Sequence, residues 1–338
     1  MRRPPRVGVA GATGAVGLAM LRVLEERSFP LDSISAMASD RGEDRRVKFG
    51  DEDVPVVPLT EESLAGLDIV LFATGASVSR EFVPIAAAAG AVAIDNSRAF
   101  RMDPDVPLVV PEVNPDAVRS HSGIVANPNC STIQIVLPLE AVRREVGIVR
   151  VVASTYQSVS GTGLAAIQEL DEQTRAVLAG EPAVTEVYPT QIAFNCIPHI
   201  DDFDEDGHTR EERKMVNEAR KIMSLPELGM TVTCVRVPVF RSHAVAMNVE
   251  TERPLEPEEA RAVIAAWPGV RVLDDPTSLS YPTQVETSDT DDVWVGRIRK
   301  DESVRNGLWM WVVADNLLKG AALNAVQIAE LLADELSD

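Results

Sequence analysis

Apolar residues in the first third of the chain come in short β-rich runs separated by glycine turns and helical spacings. The first run, Arg6-Val-Gly-Val-Ala10, leads into Gly11-Ala-Thr-Gly-Ala-Val-Gly17 and then into the helical spacing Leu18, Leu21, Val23 and Leu24. Further runs predict strands at residues 33–38, 69–73, 91–95 and 124–126, with an alanine-rich helix over 78–89. Strands alternating with helices predict a mostly parallel, doubly wound sheet. After Cys130 the pattern changes. A helix runs to about 145, a strand covers 148–155, a glycine-broken segment 158–163 follows, and a helix continues to about 178. Residues 181–207 read as long loops and 209–223 as a helix. Clear alternation predicts strands at 230–238 and 242–250, then a helix over 256–266 and strands near 293–298 and 308–313. Long strands with fewer helices predict a second, α+β domain whose broad mixed sheet suits pairing with a second copy. The last helix, 316–336, carries Leu317, Ala321, Ala325, Ile328 and Leu332 on one face and is expected to complete the first domain. The expected division is therefore 1–129 with 316–338, and 130–315.

Composition narrows the function classes. The chain has 338 residues, 45% of them hydrophobic, enough for about two domains. Its 32 Lys+Arg against 52 Asp+Glu give 32 − 52 = −20, which argues against a nucleic-acid binder or a membrane-surface protein. No stretch approaches the roughly 18 continuous apolar residues of a spanning helix, and the start, Met1-Arg2-Arg3-Pro4-Pro5, does not resemble a signal peptide, so the chain reads as cytoplasmic. Three cysteines, Cys130, Cys196 and Cys234, in no metal-binding spacing, predict neither disulfides nor a metal site.

Two local patterns carry chemistry. Gly8, Gly11, Gly14 and Gly17 around the first turn form a variant of the dinucleotide fingerprint, in which glycine lets the backbone approach a pyrophosphate seated on the next helix. The second strand ends in Ser39-Asp40-Arg41-Gly42; a hydroxyl and a guanidinium there favour NADP, and Asp40 keeps NAD open. Cys130, just after Asn127-Pro128-Asn129, is expected at a helix N-terminus, where amides and the helix dipole favour a thiolate. Cys234, in an alternating strand, reads as an inert core residue. A nucleophilic cysteine needs a base. His121 and His208 read as surface loop residues, whereas His199 and His243 both stay open.

The chain resembles the aspartate-semialdehyde dehydrogenase family over nearly its whole length. The resemblance rests on the glycine turn, Pro107-Leu-Val-Val-Pro-Glu-Val-Asn114, Asn127-Pro-Asn-Cys-Ser-Thr132, Tyr156-Gln-Ser-Val-Ser-Gly161 and Glu211-Glu-Arg-Lys-Met-Val216. It extends through Arg236-Val-Pro238, Arg241-Ser-His243 and Asp315-Asn-Leu-Leu-Lys-Gly320. It implies a Rossmann-type domain plus a catalytic and dimerisation domain. The implied reaction is NADP-dependent reductive dephosphorylation of L-4-aspartyl phosphate to L-aspartate 4-semialdehyde, on the route to lysine, methionine and threonine. By the resemblance Cys130 is the nucleophile that forms an acyl thioester, His243 the acid/base and Gln157 the positioning amide. Arg236 takes the substrate α-carboxylate, Glu211 its ammonium, and Lys214 and Arg101 the phosphate, with Asn129 also at the substrate. Arg98 competes with Arg101, and without the resemblance Glu211 with Lys214 reads first as a solvated ion pair. The implied cofactor contacts are Gly11, Thr13, Gly14, Ala15, Val16, Ser39, Arg41, Gly42, Ser160, Gly161 and Asn316. Gly42 stands where relatives often carry serine. The implied assembly is a homodimer, with a dimer of dimers as the larger alternative, and no metal is called for. The competing readings are an N-acetyl-glutamyl-phosphate reductase-like enzyme, which has no use for Glu211, and a catalytically silent nucleotide-binding homologue. Because every proposed ligand is anionic, Arg41, Arg101, Lys214 and Arg236 are expected to make the cleft locally positive inside an acidic shell.

Overall fold

The computed structural model describes residues 3–38 and 45–337, with side chains as far as residue 334. The chain divides into two compact units, one comprising the described residues up to Asn129 and from Ala321, the other Cys130–Gly320.

In the first unit, β1 (Arg6–Ala10), α1 (Ala15–Glu26), β2 (Ser33–Ala38), β3 (Arg46–Phe49), β4 (Glu52–Pro58), α2 (Glu61–Leu64), β5 (Ile69–Phe72), α3 (Ala76–Ala88), β6 (Val92–Asp95) and β7 (Ile124–Ala126) follow in order. The sheet order is β3-β4-β2-β1-β5-β6-β7, parallel except for the β3–β4 pair. Strand β5 is buried at every position, as a strand covered on both faces must be, which is why it reads as a continuous apolar run. Strands β3 and β4 escape the hydrophobic pattern because they form an edge hairpin in which charged residues and prolines replace apolar ones.

The second unit holds α4 (Cys130–Val146), β8 (Ile148–Gln157), α5 (Leu164–Leu178), α6 (Arg210–Ile222), β9 (Gly229–Arg236), β10 (His243–Thr251), α7 (Pro257–Ala265), β11 (Val270–Val272), α8 (Gln284–Thr287), β12 (Val293–Asp301) and β13 (Gly307–Ala314). They build a mixed sheet in the order β11-β12-β13-β10-β8-β9. Helix α4 packs against β8, β10 and α6. The opposite face leaves Tyr156, Trp309 and Trp311 partly exposed, with the Tyr156 and Trp311 rings 5.2 Å apart.

Returning to the first unit, α9 (Leu323–Ser337) packs against α1, β5 and β6. The expected start of this helix at Asn316 is corrected to Leu323. The buried Asp315 carboxylate takes the amides of Leu317 (2.9 Å) and Leu318 (3.3 Å), and a π-helical turn, Leu318–Ala322, intervenes. Residues 316–320 thus belong to the second unit.

Candidate active site

Strand register in the second unit lines up three polar side chains. His243 pairs with Gln157 across β10 and β8, and Gln157 pairs with Arg236 across β8 and β9. All three are buried, at 0%, 2% and 5% exposure, so each must find partners or pay in desolvation. The Gln157 amide is held at both ends: Thr155 Oγ1 donates to Oε1 (3.1 Å), and Nε2 donates to Glu211 Oε1 (3.2 Å). Arg236 Nη1 donates to the Ser158 carbonyl (2.6 Å). A side chain at Gly161 would meet His243 Nε2 at 3.1 Å and Arg236 Nη1 at 3.2 Å, so both groups border the space that this glycine leaves open.

The His243 ring is oriented by its neighbours. Ser158 N–H donates to Nδ1 (3.0 Å), so the neutral ring carries its proton on Nε2, which has no hydrogen-bond partner among the described residues. Ser158 Oγ also lies 3.0 Å from Nδ1 and 3.2 Å from Asn316 Oδ1. Asn316 Oδ1 further accepts from Ser160 Oγ and Ser242 N–H, both at 3.0 Å. Burial pushes His243 down to about 3, Arg236 adds to that, and Glu211 pulls the other way. The ring is therefore neutral at physiological pH. The other candidates lack this setting: His199 stacks on Phe203, His208 faces Glu212 at 3.7 Å on the surface, and His121 accepts from the Gly123 amide.

Helix α6 carries the next pair. Thr209 and Glu212 form a reciprocal capping box, which fixes the helix start and places Glu211 and Lys214 one turn apart. Lys214 Nζ donates to Glu211 Oε2 (3.0 Å) and to Asp201 Oδ2 (2.6 Å). Burial lowers the ammonium pKa, but Glu211 and Asp201 outweigh it and the net direction is upward. Lys214 thus sits between two carboxylates, Glu211 and Asp201. No spacing in the sequence marks Asp201: the Asp202–Arg210 pair spans 210 − 202 = 8 positions and the Asp201–Lys214 pair 214 − 201 = 13.

Cys130 is the first residue of α4, with no acidic residue in that turn, and is partly exposed. The helix dipole there favours a thiolate. A Cβ on Gly320 would lie 3.0 Å from Cys130 Cβ and 3.3 Å from its Cα, so this glycine is a close neighbour of the nucleophile candidate. Cys234 is fully buried; burial, reinforced by Glu211, raises its thiol pKa well above the ordinary value. Cys196 is exposed.

In the first unit the glycine turn has the geometry of a phosphate cradle. Gly11 has φ +84°, and a side chain at Gly17 would strike the Gly11 carbonyl at 2.1 Å. Gly11 and Ala12 amides donate to Met37 O (2.8 and 3.0 Å), tying the turn to β2. The α1 N-terminus after Gly14 has no side-chain cap, so its amides at Ala15, Val16 and beyond suit a pyrophosphate. Thr13 lies in the same turn. Arg101 is buried and donates to the carbonyls of Asn127 (2.9 Å) and Asn96 (2.8 Å), whereas Arg98 is exposed. Asn129 is buried. Ser39, Arg41 and Gly42 lie outside the described residues. Among the described residues no cluster of His, Cys, Asp or Glu is arranged to hold a metal, and no helix is long and apolar enough to cross a membrane.

Comparison with known proteins places the chain in a family. Residues 6–121 match a family model described as semialdehyde dehydrogenase, NAD binding domain, and residues 139–319 match semialdehyde dehydrogenase, dimerisation domain. Aspartate-semialdehyde dehydrogenase of Aquifex aeolicus is 52% identical over 334 residues, covering 98% of each chain. That of Legionella pneumophila is 49% identical over 338 residues, covering 99% of this chain and 97% of the relative. The crystal structure of aspartate semialdehyde dehydrogenase II from Vibrio cholerae, complexed with ASA, superposes with a TM-score of 0.95 at 47% identity, covering 98% of this chain and 99% of that one. The chain is an oxidoreductase that belongs to the aspartate-semialdehyde dehydrogenase family.

Proposed function

We propose that the enzyme catalyses the NADP-dependent reductive dephosphorylation of L-4-aspartyl phosphate to L-aspartate 4-semialdehyde, in the biosynthesis of lysine, methionine and threonine. The observation that carries this reading is the buried row Arg236, Gln157 and His243, with Glu211 bonded to Gln157. A guanidinium on the neighbouring strand and a carboxylate bonded to the glutamine are what an α-amino acid needs at its two charged ends. An N-acetylated substrate would leave Glu211 without its ammonium.

The Cys130 thiolate attacks the acyl carbon, the carbon–oxygen bond to phosphate breaks, and an acyl thioester forms as phosphate leaves. Arg236 binds the α-carboxylate, Glu211 the ammonium, and Gln157 holds the acyl group on Cys130. Lys214 is a phosphate ligand, and the resemblance adds Arg101 to it and Asn129 to the substrate contacts. The nicotinamide cofactor, when bound, supplies the hydride that takes the thioester to the aldehyde level. His243 presents Nε2–H to the substrate oxygen and stabilises the negative charge that develops there. The oxyanion then collapses, the carbon–sulfur bond breaks, and Cys130 leaves as the thiolate while the aldehyde is released; the Ser158 N–H on Nδ1 keeps the ring proton at Nε2.

The glycine turn, with Gly11, Thr13, Gly14, Ala15 and Val16, would hold the cofactor phosphates, and Ser160, Gly161 and Asn316 its nicotinamide end. Ser39, Arg41 and Gly42 are proposed for the 2′-phosphate. The dimerisation-domain match supports a homodimer, and the half-exposed Tyr156, Trp309 and Trp311 face is the surface proposed for it. A cytoplasmic location fits the substrates.

The test follows reduced cofactor by absorbance with L-aspartate semialdehyde, phosphate and NADP⁺, comparing the wild type with Cys130→Ala. Turnover is expected to depend on phosphate, to be faster with NADP⁺ than with NAD⁺, and to vanish in the variant. A variant working at the wild-type rate removes Cys130 as nucleophile, and equal rates with both cofactors remove the NADP preference.

A further inference from the structure

Lys214 is gripped by two carboxylates that arrive by different routes. Glu211 lies one turn earlier on α6, whereas Asp201 reaches Lys214 from the segment ahead of the helix. That segment is tied to the start of α6 by Arg210, whose N–H donates to Asp202 O (2.9 Å) and whose side chain pairs with Asp202 (2.9 Å), while Asp204 N–H donates to His208 O (2.7 Å) within the segment. The Asp202 and Arg210 side chains are 70% and 49% exposed, as ordinary surface pairs are. Asp201 and Lys214 differ, at 20% exposure each and 2.6 Å apart. Asp201 also holds a left-handed backbone, φ +67°, and its Oδ1 accepts the Asp202 amide at 3.0 Å, a local hydrogen bond that leaves Oδ2 on the lysine.

The charges decide what this arrangement can bind. Glu211 and Asp201 already occupy Lys214 Nζ, so a phosphate oxygen that uses it must displace one of the two carboxylates. Glu211 is committed to Gln157 as well. Asp201 comes from a loop. We infer that Asp201 occupies the anion position on Lys214 and yields it to the phosphate of the substrate, which makes it a positioning residue that weakens phosphate binding. This rests on the reading of Lys214 as a phosphate ligand. Such a competitor lets phosphate leave after the thioester forms, because the loop carboxylate returns to the lysine.

The test measures KM for phosphate in the direction that oxidises the semialdehyde, for the wild type, Asp201→Asn, Asp201→Gly and Lys214→Gln. Asparagine and glycine both accept the left-handed backbone, so either replacement keeps the loop. Removing one repelling charge beside the bound dianion should lower KM for phosphate about tenfold in both Asp201 variants, with KM for the semialdehyde unchanged. A purely structural residue would not tighten one substrate alone. If Lys214→Gln raises KM for phosphate while both Asp201 variants leave it unchanged or raise it, the inference is overturned. If Lys214→Gln leaves it unchanged, the assignment of Lys214 itself fails, and the role of Asp201 with it.

Discussion

Burial of His243 should be measurable as a pH-dependent stability penalty. The ring is fully buried, and its pKa falls from 6.5 to about 3, chiefly through desolvation. Above pH 6.5 both folded and unfolded chains hold it neutral, and it contributes no pH dependence. As pH falls below 6.5 the unfolded chain binds a proton that the folded chain refuses, so folding loses stability. At pH 5 the difference is about 2 kcal/mol, and at pH 7.5 close to zero. His243→Asn removes the titration, and its side-chain oxygen can still accept the Ser158 amide. At pH 7.5 the variant should be less stable than the wild type through lost packing. That deficit should shrink by about 2 kcal/mol at pH 5, because titrating carboxylates affect both proteins alike. Urea unfolding at one fixed protein concentration, at both pH values and without ligands, reads this directly. A deficit that stays the same or grows at pH 5 would refute the argument, since it would mean that the ring takes up its proton inside the fold.

Two further substitutions probe the surroundings of the site. Gly320→Ala puts a methyl 3.0 Å from Cys130 Cβ, so it should cost about 1–3 kcal/mol of stability and slow alkylation of Cys130 by iodoacetamide; an unchanged alkylation rate would show that the glycine does not set the thiol's position. Thr155→Val removes the donor to Gln157 Oε1 and the acceptor that Val235 N–H uses at 3.2 Å. The loss of roughly 1–3 kcal/mol should appear in stability and in a lower kcat, with Thr155→Ser restoring both; a wild-type kcat in Thr155→Val would remove Thr155 as the residue that orients the amide.

Some of this was legible because it is enforced within a few residues. Only glycine fits at Gly11 and Gly17, so the strand–turn–helix is written in the sequence. The Thr209 and Glu212 capping box starts α6 by local hydrogen bonds, and the break at Pro128 puts Cys130 at a helix start by backbone sterics alone. The residues themselves left His199 and His243 open; the family resemblance chose between them. The ring's burial, its lowered pKa and the tautomer set by Ser158 come from strands and loops distant in sequence. Register across β10, β8 and β9 brings Arg236, Gln157 and His243 into one row, and no local pattern records a register. The hairpin β3–β4 at the edge of its sheet carries too few apolar residues to show in the pattern, and the break before the last helix is made by the Asp315 turn without a proline to mark it. Asp201 shows the limit most clearly: its charge was visible in the sequence, but whether a carboxylate faces water or a half-buried lysine is decided by packing between distant segments.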